Sequence, residues 1–191
     1  PLEILCDNKG RPIGEFEVTV CDPASGAPLP VGEVGEVRVR GHLVMQGYYK
    51  NPDATAEAIT PDGWFRTGDL GVFDAAGYLK ITGRLKEMFI VGGSNAYPAV
   101  IERVLQAMAQ IKQAVVVGVP DRRLGEVGCA FVQLQEGETL TRDELLRHCK
   151  AAMADYKVPR HVHFVDDFPR TTTGKIQRFV LQKQACDQLA A

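Results

Sequence analysis

Two stretches near the start of the chain alternate polar and apolar residues, as a strand with one buried face does. They are Glu15-Phe16-Glu17-Val18-Thr19-Val20 and Gly35-Glu36-Val37-Arg38-Val39-Arg40. The turn-rich Asp22 to Pro30 separates them, so the pair predicts a hairpin. Asn51-Pro52-Asp53 then opens a short Ala-rich helix to about Ile59, with Asn51 as N-cap and Pro52 at the first helical position. A second hairpin is expected where Gly71-Val72-Phe73 faces Tyr78-Leu79-Lys80-Ile81 across Asp74-Ala75-Ala76-Gly77. This part reads as nearly all β. The pattern changes beyond Lys86, and a domain boundary is expected at about Leu85.

From there helices and strands alternate. Val100, Ile101, Val104, Leu105 and Met108 follow a 3.6-residue period after Pro98 and predict a helix. The apolar runs Ala114 to Val119 and Gly128 to Leu134 read as buried strands. Thr141-Arg142-Asp143-Glu144 has capping-box spacing ahead of a helix with Leu145, Leu146, Cys149 and Met153 on one face. His161 to Val165 is a short strand. A last short helix is expected from Ile176 to about Lys183, with a loosely held tail. The fold class is α+β: a β-rich part, then an α+β module of roughly 105 residues, a normal size for one domain.

Composition narrows the function. The 191 residues are 45% hydrophobic and 24% charged, with 22 Lys plus Arg against 24 Asp plus Glu. The net charge of -2 offers no general attraction for nucleic acid or an anionic membrane. No apolar run approaches the roughly 18 residues of a membrane span, and no signal peptide is seen. Cys6, Cys21, Cys129, Cys149 and Cys186 are odd in number and never in C-x-x-C spacing. They read as reduced thiols of a cytoplasmic protein. The chain opens on Pro1 rather than Met, so it is expected to be cut from something longer.

The candidate chemistry clusters in three stretches. In Gly83-Arg84-Leu85-Lys86 through Gly92-Gly93-Ser94, a strand leads into two cations, an apolar run and a Gly-Gly pair. That pair admits close backbone approach because neither residue has a Cβ. Upstream, Asp69 follows Gly68 at an expected strand edge, where a carboxylate suits a ribose diol. Arg84 offers a planar fork of donors for phosphate or sugar oxygens. Downstream, Lys175 ends the hydroxyl-rich loop Thr171-Thr172-Thr173-Gly174, expected to be flexible enough to swing a cation into a remote site. Taken singly, a turn Asp, a surface ion pair and a solvated lysine serve as well. Gly174-Lys175 is not a P-loop, since the upstream glycine is missing and Ile176 replaces the Ser/Thr. His161 and His163 share a strand face but lack a third ligand, so no metal site is expected.

Taken together, the stretches resemble the C-terminal third of the adenylate-forming (ANL) superfamily of acyl-CoA synthetases, luciferases and peptide-synthetase adenylation domains. The resemblance runs through Gly32-Glu33-Val34-Gly35-Glu36-Val37, Gly47 to Thr55, Gly63-Trp64-Phe65-Arg66-Thr67-Gly68-Asp69, the Gly83 to Pro98 stretch, Val117 to Asp121, and Pro169 to Lys175. Within the superfamily the chain looks most like a carboxylic acid–CoA ligase. The resemblance implies that residues 1–84 are the terminal β part of the large AMP-binding domain and residues 85–191 the small mobile lid. Asp69 would hold the ribose hydroxyls, with Arg84 assisting. Lys86 would be the hinge. Lys175 would be catalytic, contacting the carboxylate and α-phosphate. Gly92 and Gly93 would border the CoA tunnel.

The same resemblance implies ATP with Mg2+ bound mainly by residues upstream of Pro1, CoA, a carboxylic acid substrate, and a missing N-terminal domain as partner. It also implies that a lysine acyltransferase could silence Lys175 by removing its charge. Two departures are visible: Val100 replaces a commonly acidic residue, and Ser94 a bulkier or acidic one. The isolated chain is expected to fold at least from Leu85 onward but not to catalyse. Two other readings stay open, a stand-alone lid or regulatory module and an adenylating enzyme with a non-CoA acceptor. The acid itself is not specified.

Overall fold

Alternation in the first part becomes an antiparallel sheet. The structure, a computed structural model, describes residues 10–190; the reading of Cys6 lies outside them. The chain divides into two units, Pro1–Lys86 and Glu87–Ala191. The division falls two residues beyond the boundary expected at Leu85.

In the first unit β1 (Glu17–Cys21), β2 (Gly35–Arg40), β3 (Phe65–Phe73) and β4 (Leu79–Arg84) form a sheet in that order, every pair antiparallel. Both expected hairpins are present. Val20, Cys21, Val37 and Leu70 make its buried face. One charged residue joins them: Glu36, 2% exposed, whose Oε2 accepts from Nε of Arg38 at 3.0 Å and of Arg66 at 3.3 Å. The helix α1 (Pro52–Ala58) lies between β2 and β3 in sequence, and Asn51 Oδ1 caps it by accepting from Ala54 N at 3.1 Å.

The second unit is built on one long hairpin, β7 (Ile111–Asp121) with β8 (Gly125–Leu134). It follows a small hairpin of β5 (Phe89–Val91) and β6 (Ser94–Ala96). β5 joins β8 through Val91 and Gly125, whereas β9 (His161–Phe164) runs parallel to β8 from Cys129 to Val132. Helices α2 (Pro98–Gln106), α3 (Arg142–Ala152) and α4 (Arg178–Ala190) pack on this sheet. α3 starts with a complete capping box between Thr141 and Glu144. The last helix is longer than expected: it runs through the supposed tail to Ala190, burying Leu181 and Ala185 one turn apart.

β7 is an edge strand, and an open edge invites pairing with other chains. Here helix side chains occupy its polar groups. Glu102 of α2 accepts from Val116 N at 2.7 Å, Arg178 of α4 donates to Val116 O at 3.1 Å, and Gln182 donates to Gly118 O at 2.9 Å. The core of this unit is Val-rich: Val115, Val116, Val119, Val127 and Val132 are each at most 2% exposed.

Candidate functional site

In the first unit, strand register brings two of the expected residues together. Asp69 on β3 lies opposite Arg84 on β4, and Arg84 Nε stands 3.0 Å from Asp69 Oδ1. Arg84 therefore makes the ion pair that was its plain alternative reading, with Asp69 as its partner. Asp69 N in turn donates to Thr67 Oγ1 at 3.0 Å, and Thr67 donates to Val37 O at 2.7 Å. Arg84 thus holds the Asp69 carboxylate, and Thr67 holds its backbone. Both partners stay accessible, Arg84 with 66% of its side chain exposed and Asp69 with 32%.

Beside this pair lies an open hollow of about 570 Å3, lined by Glu36, Arg66, Gly68, Arg84 and Lys86 among others. Lys86 is exposed in the 3-10 turn Leu85–Glu87 that ends β4. Its charged lining is mixed: Arg66, Arg84 and Lys86 stand with Glu36 and Glu57, and Arg66 is paired to the buried Glu36.

In the second unit Gly92 and Gly93 form the two-residue turn of the β5–β6 hairpin, at φ of +55° and +85°. A tight hairpin turn of this kind needs positive φ at both central residues, which explains the pair without a ligand. The turn also presents bare backbone, both glycines being exposed. Gly92 N donates to Leu124 O at 2.8 Å, tying the turn to the Asp121–Gly125 end of the β7–β8 hairpin.

Lys175 is exposed at the opposite end of that hairpin. Its loop is closed on itself by internal hydrogen bonds. Arg170 and Ile176 form a β-bridge, Thr171 N donates to Lys175 O at 2.8 Å, and Gly174 N donates to Thr171 O at 2.9 Å. Lys175 N donates to Thr171 Oγ1 at 3.1 Å, so the hydroxyl-rich sequence supplies internal caps. Arg170 donates to Gly174 O and to Gln113 Oε1, at 3.1 and 2.9 Å, fixing the loop beside the start of β7.

The sequence reading missed the ion network next to this loop. Arg178 donates from Nη1 and Nη2 to the two oxygens of Glu102 at 2.6 and 3.0 Å, and its Nε is 3.4 Å from Glu87 Oε2. A signal existed: Pro98, Ile101, Glu102 and Leu105 share the buried face of α2, placing a carboxylate in an apolar stripe. His163 stacks on Phe131 with ring centroids 5.2 Å apart, and burial, followed by the neighbouring His163, pushes the His161 pKa down. Among the described residues no group of three metal-ligating side chains occurs, and no helix is long and apolar enough to cross a membrane.

Residues 100–175 match the family of the AMP-binding enzyme C-terminal domain, and residues 6–49 match the AMP-binding enzyme family. The mitochondrial medium-chain acyl-CoA ligase ACSF2 of Danio rerio is 45% identical over 91% of this chain and 28% of its own. ATP-bound MatB from Rhodopseudomonas palustris superposes with a TM-score of 0.89 at 38% identity, covering 95% of this chain and 36% of that one. The amide bond synthetase McbA of Marinactinospora thermotolerans gives the same TM-score and identity over 97% and 37% of the two chains. The chain spans about a third of the length of the curated relatives it matches. It belongs to the adenylate-forming superfamily and corresponds to the C-terminal portion of that superfamily's acyl-CoA ligases.

Proposed function

We propose that this chain is the C-terminal part of an ATP-dependent, AMP-forming carboxylic acid–CoA ligase. Residues up to about Leu85 complete the nucleotide-binding domain, and the remainder is its mobile lid. The observation that carries this reading is the Asp69–Arg84 pair beside a hollow to which Arg66, Arg84 and Lys86 contribute, in a chain whose second unit offers an exposed lysine on a closed loop. The residues present fit a nucleotide. Asp69 can accept from the two hydroxyls of a ribose, while Arg84, already held by Asp69, faces the same ligand as a donor. The Mg2+ that accompanies ATP is held, in this proposal, by residues outside the chain.

The chemistry has two steps. A carboxylate oxygen attacks the α-phosphorus of ATP as the bond to pyrophosphate breaks, which brings anions together. Lys175 supplies the opposing charge, and such preorganised groups are worth about 3–4 kcal/mol. The thiol of CoA, losing its proton, then attacks the acyl carbon and AMP departs. There the exposed Gly92–Gly93 backbone lets the pantetheine arm lie close. Turning at Lys86 exchanges the two faces of the lid. Acylation of the exposed Lys175 would remove its charge and stop the first step only.

The test is acid-dependent ATP–pyrophosphate exchange in the full-length protein across a panel of carboxylic acids, with Lys175→Ala alongside. One acid class should support exchange, and the variant should lose roughly 100- to 1000-fold. Exchange with no acid, or an unaffected variant, would overturn the reading. The likeness to an amide bond synthetase favours one second reading, adenylation followed by transfer to an amine. Product analysis with CoA or amine as the sole acceptor separates the two.

A further inference from the structure

We propose that Arg178 is a positioning residue that locks the Lys175 loop to the segment immediately following Lys86. The inference rests on the ligase reading, in which Lys175 acts in adenylation and the chain turns at Lys86. Arg178 opens α4, three residues after Lys175. Its guanidinium reaches three separate parts of the second unit. Nη1 and Nη2 form a two-point pair with Glu102 on α2, Nη1 also donates to Val116 O on β7, and Nε faces Glu87. Only a planar fork of donors meets all these partners at once.

The loop is anchored close to this hub at both ends. Gln177 N donates to Pro169 O at 2.8 Å, and the Arg170–Ile176 bridge closes the neck. Glu87 is the first residue of the second unit and follows Lys86 directly. A backbone rotation at Lys86 therefore displaces Glu87 first, and the Glu87–Arg178–Glu102 network carries that displacement to the loop and the sheet together. The arrangement holds more than a core ion pair requires. Glu102 and Val116 already occupy Nη1 and Nη2, and the half-buried Glu87 adds a second carboxylate on Nε.

Three variants of the full-length protein test this: Glu87→Gln, Arg178→Lys and, as control, Lys175→Ala. Each half-reaction is measured alone, adenylation by pyrophosphate exchange and thioester formation from supplied acyl-adenylate and CoA. Glu87→Gln should lower kcat of adenylation about fivefold or more, as an intersite coupling does. Its KM for ATP, its melting temperature and its thioester formation should stay near wild type. Arg178→Lys should lower adenylation roughly tenfold to a hundredfold through misplacement of Lys175. It should also speed amide hydrogen exchange at Thr171, Gly174 and Lys175.

Equal loss in both half-reactions, or stability loss with no change in their ratio, would reduce Arg178 to a structural pair. So would unchanged adenylation in Glu87→Gln while Lys175→Ala collapses it. Unchanged adenylation in Lys175→Ala itself would instead overturn the ligase roles, and the inference with them.

Discussion

Replacing Glu102 with Ala removes the acceptor at the centre of the second unit. Glu102 is 8% exposed and takes three hydrogen bonds, from Val116 N at 2.7 Å and from Arg178 at 2.6 and 3.0 Å. Without it, the Val116 N–H has no partner at the β7 edge, a loss of about 1–3 kcal/mol. Breaking a buried ion pair from one side costs about 3–5 kcal/mol in all. Arg178 keeps 29% of its side chain exposed and retains Glu87 at 3.4 Å, which puts the expected loss at the low end, about 3 kcal/mol. Hydrogen exchange of the β7 and β8 amides reads this locally and should accelerate on the order of a hundredfold.

The paired replacement Glu102→Leu with Arg178→Met makes the reasoning sharper. It removes both charges, so the ion-pair part of the loss should return, leaving only the part that belongs to the orphaned Val116 N–H, about 1–3 kcal/mol. A single-variant effect below about 0.5 kcal/mol, the usual range for a surface change, would refute the account. So would a double variant as unstable as the sum of the two single ones.

Two further outcomes follow from the same unit. Gly118→Ala would place a Cβ 2.5 Å from Phe89 Cβ and 2.8 Å from its Cγ, so urea unfolding should show a loss of about 1–3 kcal/mol or more. No change in the unfolding midpoint would mean that β5 yields freely. Burial pushes the Cys129 thiol up to about 12 and the Cys149 thiol up to about 11, from an ordinary 9.0. Site-resolved alkylation at pH 8 should therefore spare both in the native protein and label both in denaturant. Their contribution to stability is full below pH 9 and is lost as pH rises toward those values, because the unfolded thiols ionise first.

Local chemistry made much of the fold legible. The Asn51 cap, the Thr141–Glu144 box and the alternation in β1 and β2 each act within a few residues, and each appears where its motif stands. What escaped depends on distant partners. α4 buries only Leu181, Ala185 and part of its other apolar positions, too thin a stripe to mark a 13-residue helix. Its first turn is held instead by Glu102 and Val116, 76 and 62 residues away in the chain. The loop before it is closed by its own hydroxyls, a pairing that the order of Thr and Gly residues alone does not show. At the candidate site, Asp69 and Arg84 were named separately. Only the register of β3 on β4 shows that they form a pair.

The placement of the two lid features gives the domain-alternation proposal a physical basis within a single unit. The glycine turn is tied to Leu124, in the bend between β7 and β8, whereas the Lys175 loop is tied to Gln113 near the start of β7. Eight residue steps of extended strand lead from Gln113 to Asp121, about 25 Å at the rise of a β-strand. A body that carries its cation at one end and its bare backbone at the other cannot bring both to one acyl group without turning. The strand pair between them is covered on its open edge by α2 and α4 side chains and packed with valine on its faces. That separation inside the unit is what the hinge proposed at Lys86, exposed at the last position of the first unit, would serve.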